Sequence, residues 1–166
     1  AVDAGATEIS VHLEEGGLTL IRVVDNGCGM NREDALLACE RHATSKIRRV
    51  DDLQAIETLG FRGEALSSIA AVSRLKLKTR PADAPAAVEI TLHGGVLKDA
   101  AATAGPVGTD IQVATLFFNV PARRKFMRQP ATEERRVKQW LTDSALAHPR
   151  IHYRLYGDGR LLVNLP

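Results

Sequence analysis

The chain has 166 residues, of which 45% are hydrophobic and 25% are charged, and its formal net charge is +2. This length is enough for one domain with its own core, and so small a net charge argues against a general polyanion-binding protein. No apolar run reaches the roughly 18 residues that a membrane-spanning helix needs. The first ten residues lack the basic and apolar regions of a signal peptide, and two cysteines are too few for a disulfide framework, so we expect an intracellular protein.

The first part of the chain predicts a β-hairpin followed by a helix. Residues 7–25 alternate apolar and polar side chains on both sides of the turn sequence EEGG. The segment DNGCGM, residues 25–30, ends the second strand, and Asn31 is a suitable N-cap for a helix that continues to Glu40. Residues 41–63 have weak periodicity and many small polar side chains, which indicates a long loop with a short helix, and such loops are usually functional.

The middle of the chain predicts one helix and several strands. Residues 64–72 have helical spacing, with Leu66, Ile69 and Ala70 on one side. RLKLKTR alternates as a strand, AAVEITLHGGVLKDAA has the pattern of a second hairpin, and GTDIQVATLF predicts a further strand. Pro121 ends this pattern.

The last part predicts a long helix and a third hairpin. Thr132 and the two glutamates after it predict the start of a helix that ends at about Ala147. Its expected apolar stripe consists of Val137, Trp140, Leu141 and Leu146. Residues 151–166 predict a hairpin around a Gly-Asp-Gly turn. Strand pairs separated by helices predict an α+β two-layer sandwich, in which a mostly antiparallel sheet carries helices on one face.

Asp25 and the glycines after it form the first candidate site. A carboxylate at the end of a strand can accept a hydrogen bond from an exocyclic amine such as that of adenine. Gly27 and Gly29 have no Cβ and therefore allow close approach of a backbone or a flat ligand. A tight Asn-Gly turn explains the same residues without any ligand. The segment has only the first two glycines of the dinucleotide fingerprint G-x-G-x-x-G, and the chain contains no Gly-Lys-Ser/Thr of a P-loop.

Two further segments carry groups suited to phosphate. Residues 44–46, Thr-Ser-Lys, offer two hydroxyls and an ammonium to phosphate oxygens. Gly60, Arg62 and Gly63 come directly before a predicted helix, whose first N–H groups attract anions. Taken separately, the Thr-Ser-Lys segment is more typical of a solvated polar loop, and the Gly-Arg-Gly segment is equally typical of a connector with an exposed arginine.

Two more segments complete the pattern. Gly108 and Thr109 place a small residue and a hydroxyl at the start of a strand. The simpler interpretation is that they only mark the boundary of that strand. The basic run at residues 121–128 surrounds Phe126 and is suited to nucleic acid or phosphate, unless it is a solvated turn with the phenyl ring buried. Together, the acidic acceptor, the Thr-Ser-Lys loop, the Gly-Arg-Gly loop and the Gly-Thr strand start predict a nucleotide site without a P-loop.

Six segments in chain order carry a family resemblance: DAGAT, DNGCGM, RHATSK, LGFRGEALSSI, VGT and FFNVPARRKF. They closely resemble the N-terminal ATPase region of the MutL family of DNA mismatch-repair proteins. That family belongs to the GHKL group, which includes DNA gyrase, the Hsp90 chaperone and sensor histidine kinases. The resemblance runs from Ala1 to about Phe126, and it implies the Bergerat-type ATP-binding fold with ATP and Mg²⁺ as cofactors.

The resemblance also implies roles for individual residues. Asp25 is expected to bind the adenine amino group, Thr109 to help fix the base through water, and residues 44–60 to form a lid. The implied nucleotide-binding set is Asp25, Asn26, Gly27, Gly29, Thr44, Ser45, Lys46, Gly60, Phe61, Arg62, Gly63, Glu64, Ala65, Leu66 and Thr109.

The resemblance places two further groups before residue 1. They are a glutamate that acts as general base and an asparagine that binds Mg²⁺, both on one helix. We therefore expect residues 1–166 to be one GHKL-type ATPase domain that lacks this helix and the following transducer domain. Such a chain has no catalytic residue or metal ligand of its own, and loss of the base removes roughly a hundredfold or more of hydrolysis.

The implied biology is mismatch repair, in which ATP orders the lid and drives dimerisation that couples mismatch recognition to downstream repair. The implied partners are a second copy or a related paralogue, a MutS-type mismatch sensor and DNA, with no membrane. The expected location is the cytoplasm, associated with the nucleoid, in a bacterium, or the nucleus in a eukaryote.

One alternative is a non-catalytic DNA-binding or scaffold protein that uses the basic residues 41–49 and 121–128. Another is a histidine kinase, for which no phosphoacceptor-histidine helix is evident.

Overall fold

A computed structural model describes residues 1–40 and 65–166 of the chain. The described strands are β1 (Glu8–Glu14), β2 (Leu20–Asp25), β3 (Arg74–Arg80), β4 (Ala87–His93), β5 (Val96–Thr103), β6 (Gly108–Ala114), β7 (His152–Gly157) and β8 (Arg160–Leu165). The described helices are α1 (Arg32–Cys39), α2 (Ala65–Ala71), α3 (Pro121–Arg124) and α4 (Pro130–Ala147). None of these helices is long and apolar enough to cross a membrane.

The described strands form one eight-stranded sheet in the order β5-β4-β3-β6-β2-β1-β7-β8. Every neighbouring pair is antiparallel except β1 and β7, which are parallel. The three predicted hairpins are present as β1–β2, β4–β5 and β7–β8. The prediction of a mostly antiparallel sheet is therefore confirmed.

Helices α1, α2 and α4 cover one face of this sheet. The strand registers place Leu13, Ile21, Val113, Leu75 and Leu92 side by side in one row across five strands. Since partners in a ladder point to the same face, this row and its neighbours make one apolar surface. The opposite face carries ion pairs, including Arg22 with Asp110 and Lys76 with Glu89. The predicted two-layer arrangement is confirmed.

The core under the helices has two parts, and Ile21 packs against both. One part includes Leu141 of α4 and buried residues of β1, β7 and β8, and the other includes Ala35 of α1 and Ala70 of α2. Asn31 caps α1, because its side chain accepts a hydrogen bond of 2.8 Å from the N–H of Asp34. This N-cap was predicted from the sequence.

Two details of α4 differ from the prediction. The helix begins at Pro130 rather than Thr132, because a proline at the first helical position loses no hydrogen bond and already has the helical φ. Its buried stripe follows the i, i+4 spacing of Val137, Leu141 and Ala145. Trp140 and Leu146, which were expected in this stripe, are 63% and 78% exposed.

The structure also differs from the prediction in the buried side of α2 and in the end of β6. In α2, Ser67 and Ala70 are buried, whereas Ile69, which was expected beside Ala70, is exposed. Strand β6 ends at Ala114 rather than continuing to Phe117, because Thr115 and Phe117 both have positive φ angles, 49° and 62°, that an extended strand does not allow.

Candidate nucleotide site

A row of three polar side chains crosses the helix-covered face at one end of the sheet. Asp25 is the last residue of β2 and lies directly opposite Thr109 of β6, which in turn lies opposite Thr79 of β3. We call Asp25, Thr109 and Thr79 the polar row. The sheet therefore brings together two predicted site residues that are far apart in sequence. Thr79 was not among the predicted residues.

Asp25 is almost enclosed, with 9% of its surface exposed. Its Oδ1 accepts a hydrogen bond of 2.9 Å from the N–H of Gly27, and its Oδ2 lies 3.6 Å from the amino group of Ala1. The bond to Gly27 fixes the orientation of the carboxylate. An ionised carboxylate only accepts hydrogen bonds, so Asp25 is suited to binding an N–H group.

Asn26 is turned towards the start of β1. Its Oδ1 accepts hydrogen bonds of 2.9 Å from the N–H groups of Thr7 and Glu8, and its Nδ2 donates one of 2.8 Å to Thr7 Oγ1. These contacts join DNGCGM to DAGAT, the first of the resembling segments. Cys28 adds a backbone hydrogen bond of 2.9 Å to the carbonyl of Ala4.

The glycines of the site are packed against other backbone segments. A Cβ on Gly29 would lie 2.1 Å from the carbonyl oxygen of Arg80, and one on Gly108 would lie 2.1 Å from that of Asp25. A Cβ on Gly27 would lie 2.8 Å from the Cβ of Ala4. Of the two uses expected for glycine here, close approach of a backbone is the one that these distances explain.

Thr79 joins three parts of the site through its hydroxyl group. Its Oγ1 accepts a hydrogen bond of 3.0 Å from the N–H of Met30, donates one of 2.9 Å to the carbonyl of Gly108 and lies 3.2 Å from Oγ1 of Thr109. The sequence did carry a signal for it, because Thr79 continues the inward positions of Leu75 and Leu77 in RLKLKTR. A polar residue at an inward position needs buried partners.

Most of the predicted phosphate-binding residues lie outside the described part of the chain: Thr44, Ser45, Lys46, Gly60, Phe61, Arg62, Gly63 and Glu64. Ala65 and Leu66 are described at the start of α2. Ala65 is exposed, and Leu66 packs against the part of the core that contains Ala70.

Two cavities lie on the helix side of the sheet. One, of about 540 Å³, lies between α1, α2 and the β4–β5 turn, and its lining includes Cys39, Ala71 and Leu92. The other, of about 210 Å³, is lined by Met30 and Thr79 among others. Asp25 and Thr109 line neither cavity, so we identify the site by its side-chain chemistry and not by cavity size.

Shifted pKa values occur away from the polar row. Burial raises the pKa of the Cys39 thiol to about 11. On the opposite face of the sheet, burial and the neighbouring Arg22 guanidinium lower the pKa of His12. The hydrogen bond to Asp110 raises the pKa of Arg22. Within residues 1–40 and 65–166, no group of three or more His, Cys, Asp or Glu side chains is placed to hold a metal ion.

The basic segment at residues 121–128 lies on the surface. Arg123, Arg124 and Lys125 are exposed, and Phe126 is 85% exposed. The interpretation of a turn with a buried phenyl ring is therefore wrong. The segment begins with α3, whose first residue is a proline.

Comparison with known proteins identifies close relatives. The chain is 53% identical over 163 residues to the DNA mismatch repair protein MutL of Anaeromyxobacter dehalogenans, which covers 98% of this chain and 27% of that protein. It is 53% identical over 165 residues to MutL of Trichlorobacter lovleyi, covering 99% of this chain and 28% of that protein. The chain thus spans about a quarter of the length of these curated relatives. No family model matches.

Solved structures agree with these relatives. The Aquifex aeolicus MutL ATPase domain complexed with ADP superposes with a TM-score of 0.76 at 32% identity, over 99% of this chain and 57% of that one. A second structure of the ATPase domain of this mismatch-repair endonuclease gives a TM-score of 0.74 at the same identity, over 99% of this chain and 55% of that one. Over the region that it spans, the chain therefore belongs to the MutL family of DNA mismatch-repair proteins.

Proposed function

We propose that residues 1–166 form the adenine-binding part of a mismatch-repair ATPase. The observation that carries this proposal is the buried carboxylate of Asp25, held by Gly27 directly opposite Thr109. A buried carboxylate costs stability unless its oxygens are paired. The N–H of Gly27 makes one hydrogen bond to Oδ1, and the amino group of Ala1 forms an ion pair with Oδ2 at 3.6 Å, beyond hydrogen-bond distance, so further acceptor positions remain. The amino group of adenine supplies N–H donors that can bond to the remaining acceptor positions of the Asp25 carboxylate. A related MutL ATPase domain is known in complex with ADP, which supports nucleotide binding by this fold.

The phosphate groups belong, in this proposal, to segments that follow α1. Residues 44–46 and 60–64, together with the start of α2 at Ala65 and Leu66, supply the hydroxyl, cationic and N–H groups that bind phosphate oxygens. Asn26 has a different role in our proposal. Because its side chain bonds to Thr7 and Glu8, it holds the adenine-binding loop against β1.

Magnesium would bind together with the nucleotide in this proposal. Among the described residues, no group of three or more His, Cys, Asp or Glu side chains is placed to hold a cation. Mg²⁺ in nucleotide sites is commonly held by few carboxylates together with phosphate oxygens and water. The residues assigned above supply groups for adenine and phosphate, so ATP binding is the activity that we propose for them.

In the whole protein, we propose that ATP binding controls dimerisation and communication with a MutS-type sensor and with DNA. The support for this step is the membership in the MutL family. The relatives named above are bacterial, so we place the protein in the bacterial cytoplasm, associated with the nucleoid.

Calorimetric titration of ATP with Mg²⁺ into the chain tests the proposal. Asp25→Asn replaces one acceptor oxygen by a donor without changing the size of the side chain, and we expect it to weaken ATP binding at least about tenfold. Asp99→Asn makes the same chemical change at an exposed position of β5 and should leave the affinity unaltered. Equal ATP affinity in Asp25→Asn and the unmodified chain would contradict the proposal, as would absence of binding to the unmodified chain.

A second candidate function is nucleic-acid binding by the basic segment. Its support is the exposure of Phe126 next to three exposed cations, because an exposed ring can stack on a base while cations contact phosphates. Fluorescence anisotropy with single-stranded DNA at two salt concentrations measures it. We expect Phe126→Ala to weaken binding several-fold, with Phe118→Ala, at a half-exposed ring near Arg74, as the matched control. Equal DNA affinity in both variants and the unmodified chain would contradict this function.

A further inference from the structure

Thr79 is a buried hydroxyl for which neither the family resemblance nor the proposed function provides a role. It is 1% exposed and lies near the end of β3, a strand that pairs with both β4 and β6. Its Oγ1 has three polar neighbours, the N–H of Met30, the carbonyl of Gly108 and the hydroxyl of Thr109. These neighbours determine where the hydrogen atoms of the polar row must lie.

A threonine hydroxyl has one proton to donate and two lone pairs to accept with. A carbonyl oxygen only accepts, so the bond of 2.9 Å to Gly108 uses the proton of Thr79. A backbone N–H only donates, so the bond of 3.0 Å from Met30 uses one lone pair of Thr79. The contact of 3.2 Å with Thr109 is then satisfied only if Thr109 donates to the second lone pair.

This assignment determines whether the hydroxyl of Thr109 donates or accepts hydrogen bonds towards a ligand. Its single proton is committed to Thr79, so towards any other partner Thr109 can only accept a hydrogen bond. Thr109 is half-buried, which leaves part of its surface accessible to a ligand or a bridging water. The carboxylate of Asp25, directly opposite, also only accepts.

We propose that Thr79 is a positioning residue that makes the Asp25–Thr109 pair accept hydrogen bonds only, and so selects purines with a 6-amino group over purines with a 6-oxo group. This inference rests on the proposed function. An amino group donates directly to such a pair. A 6-oxo group presents another acceptor, and a site built around hydrogen bonds strongly rejects a ligand that leaves them unmade.

The test compares ATP with inosine triphosphate, which carries an oxo group at position 6 and lacks the 2-amino group of guanine. Both affinities are measured by calorimetry for the unmodified chain and for Thr79→Val, Thr79→Ser and Thr91→Val. Valine at position 79 keeps the shape and frees the Thr109 proton, so we expect the preference for ATP to fall at least about tenfold. Serine keeps the hydroxyl and should preserve the preference within about twofold. Thr91→Val, a half-buried threonine of β4 outside the polar row, should preserve it as well.

The outcomes separate the two proposals. Loss of preference in Thr79→Val with rescue by Thr79→Ser supports the inference. A parallel loss of both affinities in Thr79→Val, with the preference intact, shows a structural role alone and overturns it. If Thr79→Val does not fold, Thr109→Val removes the second acceptor directly, and an unchanged preference there overturns the inference. An unmodified chain that binds ATP without any preference overturns the inference alone, whereas one that binds neither nucleotide overturns the proposed function as well.

Discussion

Two adjacent rows on the same face of the sheet are built on opposite principles. The polar row of Asp25, Thr109 and Thr79 lies two residues along each strand from an apolar row of Val23, Ile111 and Leu77. The apolar row is held by non-directional burial, in which many side chains of suitable volume would serve. In the polar row each buried group must find a partner of the correct donor or acceptor type. We attribute the composition of the polar row to the adenine binding proposed above.

The largest expected effect comes from breaking the support of the polar row at Gly108. Gly108→Ala places a Cβ 2.1 Å from the carbonyl oxygen of Asp25 at a residue whose φ is +121°. The backbone of β6 must move, so we expect a loss of more than about 4 kcal/mol in the free energy of unfolding. Urea denaturation followed by circular dichroism measures it.

Gly159→Ala is the matched control for that substitution. Gly159 also has a positive φ, +78°, but a Cβ there has no neighbour within 4 Å. The cost should be the backbone strain alone, about 1–2 kcal/mol. Equal losses in the two variants would show that the close approach of Gly108 to Asp25 does not matter.

The next largest effect comes from breaking the apolar row. Leu77 is fully buried, and Leu77→Ala leaves a cavity in the core part that contains Ala35 and Ala70. We expect a loss of about 3 kcal/mol in unfolding free energy, measured by the same denaturation. The ATP affinity of the folded protein should stay within about twofold, because Leu77 supplies no hydrogen bond to the polar row. A large loss of ATP affinity at full folding would show that the two rows are not separable.

A smaller effect is expected at Asn26, where the unfolding free energy and ATP binding can be measured separately. Asn26→Ala removes three hydrogen bonds to Thr7 and Glu8, and we expect a loss of about 1–2 kcal/mol in unfolding free energy. Asn26→Asp keeps an acceptor for both N–H groups and should recover most of it. Loss of ATP binding in Asn26→Asp without loss of stability would return Asn26 to the nucleotide-binding set expected from the sequence.

The smallest expected effect concerns the thiol of Cys39, which packs against the core part that contains Ala35 and Ala70. Burial raises the pKa of its thiol from 9.0 to about 11, so the folded state keeps a proton that the unfolded state releases between these pH values. The unfolding free energy should therefore be unaffected below pH 9 and should fall as the pH rises from about 9 to about 11. The unfolding free energy of the unmodified chain minus that of Cys39→Ala, measured at pH 8 and pH 10, isolates this term and should be smaller at pH 10. An equal or larger value at pH 10 would contradict the prediction.

The sequence predicted the sheet, its three hairpins and the helix cap at Asn31, because alternation and turn chemistry are local signals. It also named Asp25 and Thr109, which pairing of β2 with β6 brings together. Thr79 was missed, because its partners depend on a register that no local pattern specifies. Trp140 and Leu146 were misplaced for a similar reason, since several apolar stripes can be drawn on α4 and only packing selects one. The nucleotide-binding roles assigned to Asp25, to Thr109 and to residues 44–64 remain predictions.

Amide chemical-shift mapping by NMR during titration with ATP and Mg²⁺ tests the central claim most directly, because it locates the ligand. If adenine binds at the polar row, the amide signals of Gly27, Met30 and Thr109 should shift together in a saturable manner. Those of Asp158 and Gly159, in the β7–β8 turn, should not move. Saturable shifts confined to residues 121–128, with Gly27 and Thr109 unchanged, would contradict the account and would assign nucleotide binding to the basic segment.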